Sequence, residues 1–262
     1  MRALAIAALL AASPAFADWV PVKPSTDPDP IVKVEGETLT YIGGINATGL
    51  TKLSNAVRHL PRGQVTKMIV NSGGGDTKAG IFIGSIIADL KPDLTIEVGC
   101  FSSCADFIAP GANSITIREN AFLGWHGNDR GFQITADQPG LPLRDYLRGQ
   151  VADQATNMKD DAGNPMDLEA WLDEAVGTLQ ALIVEEKTFY DGIGIADTFA
   201  ICGVGPRFDN RLSGAQLGWG FSIADMARLG LPPVRYEGPG AYEDNPAFRY
   251  WLIRLTPEDC TP

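Results

Sequence analysis

Between residues 66 and 98, short apolar runs alternate with an amphipathic run, and this pattern constrains the fold more than any other feature. Thr66–Asn71 and Leu94–Val98 are apolar runs of strand length, and Thr77–Leu90 between them has the spacing of a helix. A helix joined by short connections to a strand on either side brings the two strands into parallel pairing. The sequence therefore predicts an α/β fold with a mainly parallel sheet.

Further short elements extend this pattern in both directions. The predicted strands are Ile31–Glu35, Thr38–Ile42, Ile115–Ile117 and Ala121–Trp125. The predicted helices are Thr48–Leu60, Ala105–Ala109, Met166–Tyr190 and Leu212–Gly220, and Cys100–Cys104 is predicted as a turn. Residues 127–165 are rich in Gly, Pro, Asp and Gln, which predicts an insertion with one helix near Leu143–Met158.

The amino terminus has the pattern of an export signal. A basic Met1-Arg2 precedes the apolar run Ala3–Ala12, and Ala15-Phe16-Ala17 supplies a small-x-small cleavage pattern. We therefore predict cleavage after residue 17, a periplasmic location and no membrane span in the mature chain. The remainder divides into an exposed lead-in at 18–30, an α/β domain at 31–231 and an aromatic-rich extension at 232–262, whose rings are expected in the core or against a partner.

The charge of the chain excludes several classes of partner. Lys and Arg number 21 against 32 Asp and Glu, so the formal net charge is −11, and no run of basic residues interrupts it. Such a chain repels nucleic acid and anionic membrane surfaces. We expect neither of them as a partner.

Export changes the meaning of the four cysteines, since disulfides persist in an oxidising compartment. Cys100, Cys104, Cys202 and Cys260 allow three connectivities, of which we favour Cys100–Cys104 with Cys202–Cys260. The cysteine spacing is not that of a zinc finger, and His59 and His126 are the only histidines. We therefore predict no metal site.

A glycine-rich turn, Asn71-Ser72-Gly73-Gly74-Gly75, lies between a predicted strand and a predicted helix. Consecutive glycines allow a sharp turn that points backbone N–H groups at a bound atom. The following Gly75–Lys78 lacks the spacing of a phosphate-binding loop. The turn is therefore a candidate for binding a developing negative charge.

Two further candidates are Ser102, within Cys100-Phe101-Ser102-Ser103-Cys104, and His126, within Gly124-Trp125-His126-Gly127. A serine at a strand-to-helix turn lies beside free N–H groups, although serine is also a common helix N-cap. Histidine has the pKa of a general base, although a lone histidine is more often structural or merely exposed. We expect His59, near the end of its helix, to face solvent.

The order of these motifs resembles the proteolytic subunit of the Clp protease, in the ClpP/crotonase superfamily. It is most similar to exported, Clp-protease-like periplasmic proteins that carry a Cys-x-Ser-x-Cys turn. The resemblance covers residues 38–126 and, more weakly, 185–220. It implies a repeated β-β-α spiral with an insertion after the histidine strand, and a Ser-His-Asp triad with a backbone oxyanion hole.

The family's site residues transfer to this chain one by one. The family's Asn-Ser-Pro-Gly-Gly turn matches Asn71–Gly75, which implies Gly74 and Gly75 as oxyanion donors, with Gly73 in place of proline. Counting back from Gly111 places the nucleophile on Ser102 and the second donor on Ser103, whereas counting forward from Val98 favours Ser103 as the nucleophile. His126 matches the family's histidine. Asp209 is the candidate for the aspartate, with a register slip of about one residue.

The resemblance implies a serine hydrolase that cleaves peptides or flexible protein chains without ATP and without a cofactor, and it suggests a homo-oligomer. A non-catalytic binding or assembly protein is the alternative, favoured by the register at Asp209 and by the long insertion. An acyl-CoA enzyme ranks third, because CoA is not expected outside the cytoplasm and the chain offers a serine and a histidine at the matching places.

Overall fold

The computed structural model describes residues 19–137, 140–152, 159, 166–205, 208 and 211–260. The strands are β1 (Ile31–Glu35), β2 (Thr38–Ile42), β3 (Lys67–Ser72), β4 (Asp93–Phe101), β5 (Ser114–Ile117), β6 (Phe122–Gly124), β7 (Gly218–Gly220), β8 (Val234–Tyr236) and β9 (Leu252–Arg254). The α-helices are α1 (Ala47–Val57), α2 (Thr77–Leu90), α3 (Ala109–Gly111), α4 (Asp129–Asp137), α5 (Leu143–Val151), α6 (Leu168–Ile193), α7 (Thr198–Ile201), α8 (Ile223–Arg228) and α9 (Pro246–Trp251). A π-helix covers Cys104–Ile108, and 3-10 helices cover Tyr242–Asp244 and Pro257–Cys260. The predicted signal peptide, residues 1–17, lies outside the described residues.

The main sheet confirms the predicted α/β class. Its order is β1-β2-β3-β4-β5-β8, with β6 also paired to β4 beyond the end of β5. The β1–β2 pair is antiparallel and every other pair in this sheet is parallel. Parallel pairing brings the carboxyl ends of β3, β4 and β6 to the same edge, where the glycine-rich turn, Ser102 and His126 begin.

Local sequence explains most of the elements. The α2 helix runs over Thr77–Leu90 as predicted, because the Asp76 side chain accepts a hydrogen bond from the Ala79 N–H at its first turn and Lys91 ends it in a left-handed conformation. The α6 helix begins after an Asp167 cap and ends at Gly194, which has a φ of +71°. His59 is exposed beyond the end of α1, as expected.

Two local predictions were wrong, and a third holds over fewer residues. The turn predicted at Cys100–Cys104 is confined to Ser102 and Ser103, because pairing with β6 extends β4 to Phe101 and the π-helix begins at Cys104. The insertion holds two described helices, since α4 precedes α5, and the predicted helix near Leu143–Met158 is described only as far as Val151. Leu212–Gly220 forms no helix, because Gly218–Gly220 pairs as a strand with β9.

The carboxyl-terminal residues belong to the same core. The β8 strand pairs with β5 at the edge of the main sheet, and Tyr242, Phe248 and Trp251 are buried. The predicted lead-in is largely exposed, yet it is tied to the glycine-rich turn. Gly73 donates its N–H to the Ser25 carbonyl at 2.8 Å, and the Ser25 N–H donates to Asn71 Oδ1 at 3.1 Å.

None of the helices in the described part of the chain is both long enough and apolar enough to cross a bilayer.

Candidate active site

Ser102 occupies a sharp turn between β4 and the π-helix. Its φ is +57°, in the left-handed region that residues other than glycine seldom adopt. Its N–H donates to the Gly124 carbonyl at 3.2 Å, and its carbonyl accepts the Asp106 N–H at 2.9 Å. This conformation costs about 1–2 kcal/mol, so the flanking strand and helix must hold it in place. A turn of this shape projects the serine hydroxyl clear of the backbone.

His126 lies opposite this hydroxyl. Its Nε2 atom is 2.7 Å from Ser102 Oγ, a hydrogen-bond distance. The histidine follows β6, whose end is fixed by two backbone hydrogen bonds of 2.8 and 2.9 Å between Trp125 and Trp219. The ring also stands beside the Phe101 ring, with centroids 5.2 Å apart. The structure therefore brings Ser102 together with His126, the two residues that the sequence separates by 24 positions.

The surroundings of His126 favour the neutral imidazole. Desolvation by the surrounding protein lowers its pKa below the ordinary 6.5, and a hydrogen bond with its own backbone carbonyl opposes this shift. The residue as a whole is nevertheless exposed to solvent, so the desolvation comes from the protein packed around the ring and not from full burial. A neutral imidazole at neutral pH is the form that accepts a proton.

Ser103 takes a different position from Ser102. It is buried, and its hydroxyl donates to the Gly75 carbonyl at 2.8 Å. Its side chain therefore joins the Ser102 turn to the glycine-rich turn. Of the two serines that the sequence leaves open, Ser102 is the one whose hydroxyl is within hydrogen-bond distance of His126.

The glycine-rich turn lies against Ser102. Gly74 has a φ of +89°, and a Cβ atom there would lie 2.5 Å from Ser102 Cβ and 2.7 Å from the Phe101 carbonyl oxygen. Gly75 has a φ of +151°, and a Cβ atom there would lie 2.1 Å from the Ile45 carbonyl oxygen. Any side chain at either position would displace the Ser102 turn or the neighbouring backbone, so both positions require glycine.

The three candidate oxyanion donors differ in their hydrogen bonds. The Gly74 N–H donates to Ser72 Oγ at 3.2 Å, so Gly74 contributes the close approach rather than a free donor. Within the described residues, the N–H groups of Gly75 and Ser103 have no backbone or side-chain acceptor. These two N–H groups are available to bind an oxyanion.

A disulfide encloses the candidate nucleophile. Cys100 and Cys104 are bonded across Ser102, with Cα atoms 5.2 Å apart, and both are fully buried. Cys202 and Cys260 form a second disulfide across 58 positions of the chain. The favoured pairing of the four cysteines is therefore confirmed.

The third member of the predicted triad, Asp209, lies outside the described residues. Among the residues that the structure does describe, His126 has no carboxylate hydrogen-bonded to its ring, and its one side-chain partner is Ser102. The same residues contain no group of His, Cys, Asp and Glu side chains able to hold a metal ion.

Sequence reasoning missed a set of buried carboxyl groups next to the site. Asp106, in the π-helix, is 3% exposed, and its Oδ1 atom has no hydrogen-bond partner among the described residues. Glu186, on α6, is 1% exposed. Leu172, Leu179 and Glu186 recur at intervals of seven on the buried face of α6, and this spacing is the signal that could have identified the glutamate.

A separate cavity of about 940 Å³ lies between α2 and α6. Its lining includes Ile81 and Phe82 from α2 and Thr188 and Phe189 from α6. Ser102 and His126 do not line it, so it is distinct from the candidate site.

Comparisons with known proteins give a distant likeness of fold. No family model matches the chain, and no curated protein is significantly similar to it. An enoyl-CoA hydratase from Mycobacterium avium subsp. paratuberculosis is 13% identical, with a TM-score of 0.30 over 62% of this chain and 80% of that one. An enoyl-CoA hydratase from Shewanella pealeana is 8% identical, with a TM-score of 0.29 over 62% and 78%.

A methylmalonyl-CoA decarboxylase is 9% identical, with a TM-score of 0.31 over 62% of this chain and 79% of that one. These neighbours belong to the crotonase superfamily. At such identities and TM-scores the likeness assigns neither a family nor an activity to this chain.

Proposed function

We propose that this chain is an exported serine hydrolase, an ATP-independent peptidase similar to the Clp proteolytic subunit. One observation carries the proposal: Ser102, held at a φ of +57°, places its Oγ atom 2.7 Å from His126 Nε2. Serine is a weak nucleophile until a neighbouring base accepts its proton, and this contact supplies the base.

The geometry defines how the reaction would proceed. His126 Nε2 takes the hydroxyl proton as Ser102 Oγ attacks an acyl carbonyl, and the carbonyl oxygen becomes an oxyanion. The free N–H groups of Gly75 and Ser103 bind that oxygen. Protonated His126 then gives its proton to the leaving group, and water releases the acyl group by the reverse steps. Asp209 is the proposed partner of the second ring nitrogen, where a carboxylate would stabilise the imidazolium.

Two features support the proposed location and substrate class. Both disulfides are compatible with an oxidising compartment such as the periplasm, to which the signal-like residues 1–17 would direct the chain. Peptides and flexible chains are the substrates that the resemblance implies for an enzyme without an ATP-driven unfoldase. The chain's own residues support a serine acyl-transfer site.

Fluorophosphonate labelling of the mature, oxidised protein tests the proposal. We expect labelling of the wild-type protein and of Ser103→Ala, and loss of labelling in Ser102→Ala and His126→Ala. Ser103→Ala is the matched control, because it removes a neighbouring hydroxyl while keeping the backbone N–H. Loss in Ser103→Ala with retention in Ser102→Ala would move the nucleophile by one position.

A folded wild-type protein that does not label would favour the non-catalytic binding or assembly protein. If labelling succeeds, a screen of peptide amides against simple acyl esters separates a peptidase from a general esterase. If only esters are hydrolysed, the protein is a serine hydrolase but not a peptidase.

A further inference from the structure

Glu186 connects α6 to the segment that follows His126. Its two carboxyl oxygens accept the backbone N–H groups of Asp129 at 3.2 Å and Arg130 at 3.3 Å. Asp129 and Arg130 are the first two residues of α4, and the N–H groups of a first helical turn have no partner within the helix. Glu186 therefore caps α4 from another part of the chain.

This cap lies only three residues from the candidate base. Gly127 and Asn128 separate His126 from Asp129, and the Asn128 side chain is itself turned back to accept the Gly131 N–H at 3.2 Å. The preceding side of the histidine is fixed by the Trp125–Trp219 bridge. Glu186 thus fixes the chain after His126, as the Trp125–Trp219 bridge fixes it before His126.

Three other carboxyl groups, one buried and two half-buried, lie near Glu186. Asp106 comes from the π-helix after Ser102, Asp129 from α4, and Asp197 from the turn before α7, and the charges of all three act on one another or on Glu186. The cation at this junction is Arg130, whose guanidinium donates to both oxygens of Asp197 at 2.5 and 2.6 Å.

Hydrogen bonds tie the same junction to the other site segments. The Tyr190 hydroxyl, one turn along α6, donates to the Asp106 backbone carbonyl at 2.8 Å. Asp129 is hydrogen-bonded by the Thr77 side chain and is also affected by the charge of Asp76, two residues that directly follow the glycine-rich turn. Among the described residues, the segments that follow β3, β4 and β6 therefore each contact this carboxyl group or one of its neighbours.

We propose that Glu186 is a positioning residue, whose carboxyl group caps α4 and so holds the segment after His126 in place. The proposal deepens the serine hydrolase assignment, on which the catalytic part of the inference rests. Ionisation of Glu186 strengthens its hydrogen bonds with the two N–H groups, yet it also places a negative charge beside Asp106, Asp129 and Asp197, and we expect this repulsion to shift α4 and the adjoining histidine relative to Ser102.

The acidity of the group agrees with this geometry. Burial, followed by the charge of Asp129, raises the pKa of Glu186 to about 8, although the N–H groups of Asp129 and Arg130 lower it in part. The carboxyl group is therefore mostly neutral at pH 7. It ionises in a range well above the pKa of His126.

The first test is an NMR titration of the imidazole protons in the mature protein. The chain has two histidines, so exposed His59 serves as the internal reference for His126. In the wild-type protein we expect the His126 signals to show one inflection below pH 6.5 and a second near pH 8. In Glu186→Gln, which keeps an acceptor and removes the charge, the second inflection should be absent.

Glu185→Gln is the matched control, because it removes the neighbouring carboxyl group, which pairs with Lys78 at 3.9 Å. It should keep both inflections. A second inflection that persists in Glu186→Gln, or that is absent from the wild-type protein, overturns the proposal whether or not the protein is an enzyme.

The second test is the rate of fluorophosphonate labelling as a function of pH. We expect the labelling rate of the wild-type protein to fall above pH 8 and that of Glu186→Gln to stay constant there. Glu186→Ala should label on the order of 10- to 100-fold more slowly at every pH, because the cap is lost. If Glu186→Gln restores the labelling rate that Glu186→Ala loses, the cap acts through its hydrogen bonds and not through its charge. If the wild-type protein shows the second inflection but does not label, the serine hydrolase proposal is wrong. Glu186 then still positions His126, but His126 is not the base of a reactive serine.

Discussion

At the scale of single residues, the site depends on one close approach. Gly74 combines a φ of +89° with a missing side chain, and this is where the glycine-rich turn touches Ser102. Neither a helix nor a strand requires glycine at this position, whereas the contact between these two distant turns does. A methyl group here would contact Ser102 directly.

We predict that Gly74→Ala abolishes fluorophosphonate labelling while the protein still folds. The added Cβ would sit 2.5 Å from Ser102 Cβ, so the serine turn must shift. Gly63→Ala is the control, since Gly63 has a similar φ of +79° with no heavy atom within 4 Å of the new Cβ. Both variants pay about 1–2 kcal/mol for the left-handed backbone, measured by urea unfolding, and only Gly74→Ala should lose labelling. Normal labelling of Gly74→Ala would contradict the assembled site.

A second residue-scale prediction concerns the acid limb of activity. Because desolvation lowers the pKa of His126, its neutral form persists below the ordinary value of 6.5. The labelling rate should therefore reach half its plateau at a pH below 6.5. The measurement is a pH series at fixed probe concentration, after unfolding has been excluded at each pH. A midpoint at or above 6.5 would show that the imidazole is not desolvated as described.

The sequence predicted the residue types of the site better than their contacts. It named Ser102 and His126 as candidates, and the structure places them within hydrogen-bond distance of each other. Counting forward and counting back along the chain gave different serines, because neither takes account of the two-residue turn between β4 and the π-helix. It named Gly74 as a donor, although Ser72 Oγ occupies that N–H. The sequence did not predict the hydrogen bonds of Glu186, because its partners lie 56 and 57 positions away along the chain.

At the scale of elements, the two disulfides have different effects. A disulfide stabilises mainly by constraining the unfolded chain, and the effect grows with the length of the closed loop. Cys202–Cys260 closes 58 positions, whereas Cys100–Cys104 closes four. The short bridge adds less to stability, yet it surrounds the serine with a φ of +57°.

We predict that the paired alanine variants separate stability from reactivity. Loss of Cys202–Cys260 should lower the free energy of unfolding by about 4 kcal/mol and loss of Cys100–Cys104 by about 2 kcal/mol. Only the Cys100→Ala/Cys104→Ala variant should label on the order of tenfold more slowly, because its serine turn is released. Labelling is compared at a temperature where both variants are folded. Equal labelling rates would show that the short bridge does not position Ser102.

Element boundaries were predicted best where the signal is local. The α2 helix carries its own cap at Asp76 and its own end at Lys91, so its limits follow from the sequence. The limits of the short β7 strand do not follow from the local sequence, because Gly218–Gly220 is held by β9 and by the Trp125–Trp219 bridge. Tertiary pairing of this kind overrides local helical spacing.

At the scale of the whole molecule, the parallel sheet is the feature that the sequence determines most firmly. Its strand–helix–strand pattern fixes which ends of the strands share an edge, and that edge collects the glycine-rich turn, Ser102 and His126. The arrangement also buries carboxyl groups beneath the site. This burial should be measurable in the stability of the entire fold.

We predict that the protein becomes less stable as the pH rises from 5 to 8. The folded state keeps a proton on Glu186, whose pKa is raised to about 8, while the unfolded chain releases it near 4.5. The unfolded state then binds fewer protons across this window, so the free energy of unfolding falls as pH rises, by about 3–4 kcal/mol from this residue. Burial raises the pKa of Asp106 and Asp129 as well, which acts in the same direction.

The other described groups with shifted pKa values do not reverse this trend across the window. Glu37 and Asp93, whose pKa values hydrogen bonds lower, change charge below their ordinary values of 4.5 and 3.8. His126 acts in the opposite sense only below pH 6.5, where the unfolded chain takes up the proton that the folded state resists. Urea unfolding at pH 5, 6.5 and 8 measures the slope, and Glu186→Gln should flatten its upper half because an amide has no proton to release. If the free energy of unfolding of the wild-type protein rises between pH 6.5 and 8, or if Glu186→Gln leaves its pH dependence unchanged, Glu186 is ionised in the folded protein.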